Sequence, residues 1–230
     1  SCSPTSCPRA AAGRGPVAAR PHDALDTSSS EPTPDAASTR RLCVGVLALQ
    51  GDYEAHGRML EALGHEVRLV KTPAHLDGVQ ALVLPGGEST TMLKFLHGEA
   101  LFEPLRAAAR SGMPVLATCA GAILLAREVR SPAQESLGVL DMVVERNGYG
   151  RQLQSFVTRL AGPPGLDDLE AVFIRAPVIR DVGPDVEIVV SHAGQPVLVR
   201  QGNVWAASFH PEMTSDARLL RRVLADAEAA

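Results

Sequence analysis

The run Met113-Pro114-Val115-Leu116-Ala117-Thr118 is mostly apolar, is punctuated early by a proline, and stops abruptly at Cys119. Ala120 and Gly121 follow, and then the helix-favouring stretch Ala122-Ile123-Leu124-Leu125-Ala126. That order of residue types spells a strand, a tight turn and a helix start, with Cys119 at the corner. A nucleophile at such a corner stands clear of the sheet edge. Backbone N–H groups of the helix start can face the carbonyl it attacks, and the positive helix end favours negative charge on the sulfur. Taken alone, a lone cysteine is more often a small buried apolar residue.

A second stretch far downstream shifts that balance. Val204-Trp205-Ala206-Ala207-Ser208-Phe209 reads as a buried strand that delivers His210-Pro211-Glu212 at its end. Pro211 stops strand pairing, so His210 and Glu212 are expected on an irregular segment at a sheet edge. A cysteine, a distant histidine and a carboxylate to orient the imidazole are the nucleophile, base and orienter of covalent acyl transfer.

Composition sets the outer bounds. At 230 residues and 45% hydrophobic content, the chain has enough apolar surface for one substantial core. The net charge of −4, without a basic block, argues against nucleic acid or a membrane surface as a primary partner. No apolar run approaches the length needed to span a bilayer. The cysteines are Cys2, Cys7, Cys43 and Cys119. Their placement offers neither a disulfide framework nor metal-ligand spacing and suits a reducing compartment, so a cytoplasmic protein without a bound metal is expected.

Residues 1–40 are rich in Ala, Pro, Ser and Thr and carry almost no large apolar side chains. They are expected to be a disordered extension with no role in the site, ahead of a single domain over residues 41–230. Arginines and serines in the extension faintly suggest a transit peptide, but Asp23, Asp26, Glu31 and Asp35 argue against one. Order is expected to begin at Leu42–Leu49, a continuous apolar run suited to a central parallel strand. A helix over Tyr53–Leu63 is expected next, then strands His65–Val70 and Val79–Leu84, a helix over Leu101–Arg110 and the cysteine strand. Alternating strands and helices imply an open, mostly parallel sheet with helices on both faces, whose ligands bind beyond the carboxyl ends of the strands. After Arg130 the pattern changes to short strands: Leu140–Arg146, Leu153–Leu160, Ala171–Ile174, Val186–Val190, Val197–Val199 and Val204–Phe209. These are expected as antiparallel additions to the same sheet. A last helix, capped by Thr214 or Ser215, should bury Leu219, Leu220, Val223 and Leu224.

The loop Pro85-Gly86-Gly87-Glu88-Ser89 lacks the spacing and the lysine of a phosphate-binding loop. Its paired glycines allow close backbone approach, so their N–H groups can face an anion or an oxyanion, with Glu88 and Ser89 placed to hold a polar ligand. An ordinary strand–helix turn capped by Ser89 or Thr90 explains the same residues. Arg146 and Arg175 each close a strand-like run and are candidates to pair with a carboxylate, although singly each reads as a surface arginine.

Together these blocks resemble a known family. From Val44 to the last helix the chain is similar to the glutaminase subunits of pyridoxal 5′-phosphate synthase, which are class I, triad-type glutamine amidotransferases. The resemblance rests on Val44–Gly51, Leu84–Met92, Thr118–Gly121, Val143–Asn147, Val172–Pro177 and Ser208–Glu212. The Gly86–Thr91 and Phe173–Pro177 blocks are the specific ones, because a Gly-x-Cys-x-Gly or His-Pro-Glu motif is common to many amidotransferases. The resemblance implies a three-layer, flavodoxin-like α/β sheet with Cys119 as nucleophile, His210 as base and Glu212 as orienter. It implies L-glutamine contacts from Gly87, Glu88, Ser89, Arg146, Ile174 and Arg175, and oxyanion donors around Gly86, Gly87 and Ala120. It also implies no cofactor, a partner interface near Gln50, and transfer of ammonia to a (β/α)8-barrel synthase subunit. Two features depart from the family pattern: Ala117 stands where the family usually has glycine, and the segment before Arg41 has no counterpart. Other readings are a glutaminase serving a different amidotransferase partner, a DJ-1-like or peptidase-like hydrolase, and a silent regulatory module. Ala120 takes the place of the histidine that often follows the nucleophile in the hydrolases, and no triad member is missing as a silent module would require.

Overall fold

The structure, a computed structural model, describes residues 40–146 and 155–228. Apart from Arg40, the expected N-terminal extension lies outside the described residues, as do Asn147 and the first two positions of the expected strand Leu153–Leu160.

Four apolar runs form the centre. β1 (Cys43–Leu47), β3 (Ala81–Leu84), β4 (Val115–Thr118) and β12 (Val204–Ala207) lie side by side and parallel, β12 against β4, β4 against β3 and β3 against β1. β2 (Glu66–Val70) closes one edge in parallel, and β11 (Gln195–Gln201) and β10 (Glu187–His192) close the other as antiparallel strands. The order across the seven strands is β10-β11-β12-β4-β3-β1-β2.

Alternation along the central strands supplies two cores. Leu82, Leu84, Val115 and Ala117 pack on one face with Met92 and Leu96 of α2 (Ser89–Gly98), Leu105 of α3 (Phe102–Arg110) and Ile123 of α4 (Ala120–Leu125). Ala81, Val83 and Leu116 point the other way. They pack with Leu60 of α1 (Tyr53–Ala62) and with Leu219, Leu220, Val223 and Leu224 of α5 (Arg218–Glu228). Period-two strands between amphipathic helices thus give the expected three layers. Each such large apolar side chain, fully buried, contributes about 1.5–3 kcal/mol.

The second half differs in detail from the expectation. β10 and β11 are antiparallel additions, but β12 is parallel and sits next to the cysteine strand. β5 (Ala126–Arg130), β6 (Leu140–Glu145) and β9 (Val178–Val182) form a separate three-stranded sheet, and β7 (Ser155–Leu160) pairs with β8 (Leu169–Ile174) in a two-stranded ribbon. β5 takes over at Ala126, where the sequence reads as helix. One face of β7 is exposed at every second residue, a pattern that suits a ribbon over the domain better than a strand inside the seven-stranded sheet. The last helix is capped by Asp216, whose Oδ1 accepts the Arg218 N–H at 3.1 Å, while Thr214 Oγ1 accepts the Asp216 N–H.

Candidate active site

The carboxyl ends of β1, β3, β4 and β12 face one edge of the sheet, and each delivers one part of the site. Cys119 leaves β4 with φ 47° and ψ −103°, a conformation that costs a non-glycine residue about 1–3 kcal/mol and persists where the surroundings hold it. They do so here. The Cys119 N–H donates to Ala207 O at 2.8 Å, extending the β4–β12 ladder by one residue. The Gly121 N–H donates to Pro85 O at 3.1 Å, and the Gly121 Cα lies so close to Leu84 O that a Cβ there would overlap it. Gly121 therefore lets α4 start directly against β3, and Cys119 is pushed to the corner.

β12 runs on through Ser208 and Phe209 to His210, whose N–H donates to Val172 O of β8 at 2.8 Å. Pro211 then opens a single 3-10 turn, Pro211–Met213, which folds Glu212 back beneath the imidazole. His210 Nδ1 and Glu212 Oε1 are 2.7 Å apart and both residues are buried. Burial by itself would push the imidazole down, but hydrogen bonding to Cys119 and Glu212 outweighs it and holds His210 up at about 10. Burial likewise works against the Glu212 carboxylate, yet the His210 and His56 rings hold it down at about 2. Asp52 Oδ2 stands 3.7 Å from His210 Nδ1, and Asp52, His210 and Glu212 are the group of metal-ligand type among the described residues. Nδ1 is already engaged by Glu212, so the cluster reads as a hydrogen-bonded pair with an acidic neighbour.

A cavity opens in front of the Cys119 sulfur. Its lining is Gly87, Glu88, Ser89, Cys119, Ile123, Arg146, Ile174 and Arg175. All six residues expected to touch glutamine, from three separate stretches of chain, therefore meet the expected nucleophile in one space. Arg146 Nη2 donates to Thr90 Oγ1 at 2.9 Å and to Glu88 Oε1 at 3.3 Å, which places one cation and one carboxylate at the cavity rim. The Glu88 carboxylate also caps α2, accepting the N–H groups of Thr90 at 3.1 Å and Thr91 at 2.7 Å. The cap is thus Glu88, where the sequence suggested Ser89 or Thr90. Its hydrogen bonds, those from Thr91 foremost, hold the Glu88 carboxyl down at about 2.

The remaining expected residues surround this cavity. Gly86 is buried against the His210 ring, and Ala120 opens α4 beside Cys119. Gln50 Oε1 accepts the Glu88 N–H at 2.7 Å, and the Asp52 N–H donates to Gly86 O at 3.2 Å. The turn after β1 therefore grips the glycine loop. Three contributors escape a reading of sequence alone. Ile123 lines the cavity, Gln134 Oε1 accepts from Ser89 Oγ at 3.0 Å, and His56 approaches Glu212 from behind. For His56 a signal exists: it occupies a position on the buried stripe of α1, between Tyr53 and Leu60, where an apolar residue is the default.

The chain resembles known proteins over most of its length. The profile of the SNO glutamine amidotransferase family matches residues 46–226. A Thermotoga neapolitana protein named Pyridoxal 5′-phosphate synthase subunit PdxT is 51% identical over 182 residues, covering 79% of this chain and 97% of its own. The protein of the same name from Koribacter versatilis is 52% identical over 177 residues, covering 76% and 91%. A solved structure described as a glutamine amidotransferase superposes with a TM-score of 0.75 at 46% identity, over 81% of this chain and 99% of that one. The structure of PurLQS from Thermotoga maritima shares the fold alone, with a TM-score of 0.58 at 16% identity over 81% and 98%. The chain belongs to the SNO glutamine amidotransferase family.

Proposed function

We propose that this chain is the glutaminase subunit of a pyridoxal 5′-phosphate synthase. It would release ammonia from L-glutamine at Cys119 for a (β/α)8-barrel synthase subunit in the cytoplasm. The observation that carries the reading is the meeting of Cys119, the His210–Glu212 pair and a cavity with Arg146 and Glu88 at its rim. Relatives that cover nearly their whole length with this chain and bear the synthase-subunit name support the choice of pathway.

In this mechanism the Cys119 sulfur attacks the side-chain amide carbon of glutamine. The C–N bond breaks, His210 passes a proton to the leaving nitrogen, and ammonia departs, leaving a γ-glutamyl thioester. Water activated by His210 then cleaves the C–S bond, giving glutamate and the free thiol. Glu212 holds the imidazole in the tautomer and orientation that both steps use. Backbone N–H groups around Gly87 and Ala120 act as oxyanion donors, each worth about 3 kcal/mol where well placed. Glu88 and Arg146 suit the α-ammonium and α-carboxylate of the amino acid, and Ser89, Ile174 and Arg175 complete its enclosure.

The test is glutamate production by the chain alone and with the barrel subunit added to saturation, against Cys119→Ala. Glutamate formation that requires Cys119 and rises with the barrel subunit is expected. Activity in Cys119→Ala would remove the nucleophile assignment, and a barrel subunit that neither binds nor stimulates would point to another amidotransferase partner.

A further inference from the structure

His56 stands directly behind the His210–Glu212 pair. It lies on α1, is 1% exposed, and its Nε2 is 3.2 Å from Glu212 Oε2 and 3.2 Å from Thr118 Oγ1. Thr118 is fully buried and immediately precedes Cys119. A single ring nitrogen therefore touches the strand that carries the expected nucleophile and the carboxylate that holds the expected base. Thr118 and Glu212 are 94 positions apart in the chain.

We propose that His56 is a positioning residue for the Cys119–His210–Glu212 triad, setting Glu212 against His210 and tying both to the β4 corner. Glu212 Oε1 is committed to His210, so Oε2 is the free end of the carboxylate. It is buried without a hydrogen-bond partner, and His56 Nε2 stands 3.2 Å from it. The near edge of the His56 ring is thus the polar group against which Oε2 rests. The carboxylate also selects the tautomer. A lone pair on Nε2 would face the charge on Oε2, so the proton sits on Nε2 and the lone pair on Nδ1. Nδ1 is buried without a hydrogen-bond partner. Packing alone does not call for a ring with an orphaned nitrogen here, since a leucine would fill the stripe between Tyr53 and Leu60 at no polar cost. Without the Nε2 contact, Glu212 is free to turn about its side-chain torsions, and His210 loses its fixed bearing on the Cys119 sulfur.

The inference rests on the triad reading above, and its test separates the two. His56→Gln keeps an N–H donor near the place of Nε2; His56→Asn keeps a polar amide but cannot reach. Both full-length variants are assayed for glutaminase kcat and KM with the synthase subunit at saturation, beside wild type and Cys119→Ala. His56→Asn is expected to lose about tenfold or more in kcat with KM for glutamine within about twofold, as small misplacements of a reacting group do, and His56→Gln to stay within about threefold of wild type. A wild type no faster than Cys119→Ala would sink the triad reading itself. With an active wild type, His56→Asn at the wild-type kcat, equal losses in both variants, or a loss confined to KM would each overturn the role of His56. If His56→Asn does not fold, His56→Gln decides alone: a kcat below about a tenth of wild type overturns the inference.

Discussion

Gly86 faces the edge of the His210 ring so closely that a Cβ on it would overlap Cε1 and stand 2.9 Å from Nδ1. The ring has little freedom to retreat, because it is 3% exposed and Glu212 holds Nδ1, the atom next to Cε1, at 2.7 Å. Gly86→Ala is therefore expected to displace the imidazole and lower kcat about 100-fold. Steady-state glutaminase kinetics check this; a kcat near wild type would show that the ring has room to shift without loss.

The two described cysteines differ in setting. Cys119 sits at the corner beside His210, whereas Cys43 lies within β1, and burial pushes the Cys43 thiol up, Arg68 only partly offsetting it. A glutamine-like electrophile such as 6-diazo-5-oxo-norleucine is expected to label Cys119 alone, because the thiolate is the reactive form. Peptide mapping by mass spectrometry reads the adduct, and stoichiometric labelling of Cys43 would overturn the assignment.

Protonation of the His210–Glu212 pair sets a pH window. His210, held at about 10 against an ordinary 6.5, contributes stability that is full below about pH 6.5 and is lost as pH rises through 10. Glu212, held at about 2 against 4.5, contributes stability that is full above about pH 4.5 and is lost as pH falls through 2. The stabilisation of wild type over Glu212→Gln should then be largest between about pH 4.5 and 6.5 and shrink on either side. Melting temperatures of both proteins across pH test this. A gap that widens steadily above pH 6.5 would contradict the pairing.

In activity, His210→Asn is expected to cost more than Glu212→Gln. Loss of the imidazole removes thiol activation and leaving-group protonation together, typically worth about 10²–10⁴-fold, while loss of the carboxylate leaves both steps available but misaligned. Comparison of kcat for the two variants decides. A His210→Asn enzyme near wild type would remove the triad.

What the sequence made legible follows physical locality. Cys119 with Gly121, the Gly86–Ser89 loop and His210–Glu212 each declare themselves within a few residues, because a corner, a glycine turn and a proline stop are local devices. Gln134 does not, and His56 stands out locally only as a polar residue on an apolar stripe. Their contacts span 45 positions to Ser89 and 62 to Thr118, and nothing near either residue marks its partner. Strand direction was hidden for a related reason. Val204–Ala207 is apolar enough for a central strand of either sense, and only its register with Val115–Thr118 makes it parallel. β5 was masked by the helix-like run before it, because Ala126 continues an apolar sequence while its backbone leaves the helix at φ −56° and ψ 147°.

The glycine loop also carries the means for control by a partner. Gly86 O is held by the Asp52 N–H at 3.2 Å, and the Glu88 N–H is held by Gln50 Oε1 at 2.7 Å. In a trans peptide the Gly87 N–H points opposite to Gly86 O, so the Asp52 hydrogen bond also sets the direction of an expected oxyanion donor. Turning that peptide breaks one backbone bond and meets little steric resistance at two glycines. A partner that docks on the Gln50–Asp52 turn can therefore set the donor's direction from outside the cavity. The isolated chain is expected to hydrolyse glutamine slowly and the barrel subunit to raise the rate, which keeps ammonia from being released without an acceptor. Gln50→Ala frees the Glu88 end of the loop, and the ratio of stimulated to basal rate should fall by about tenfold, the scale of one well-placed hydrogen bond to a positioned group. Glutamate production with and without saturating barrel subunit, measured for both proteins, gives the ratio. An unchanged ratio in Gln50→Ala would place the coupling surface elsewhere, and equal rates with and without the partner in wild type would end the gating idea.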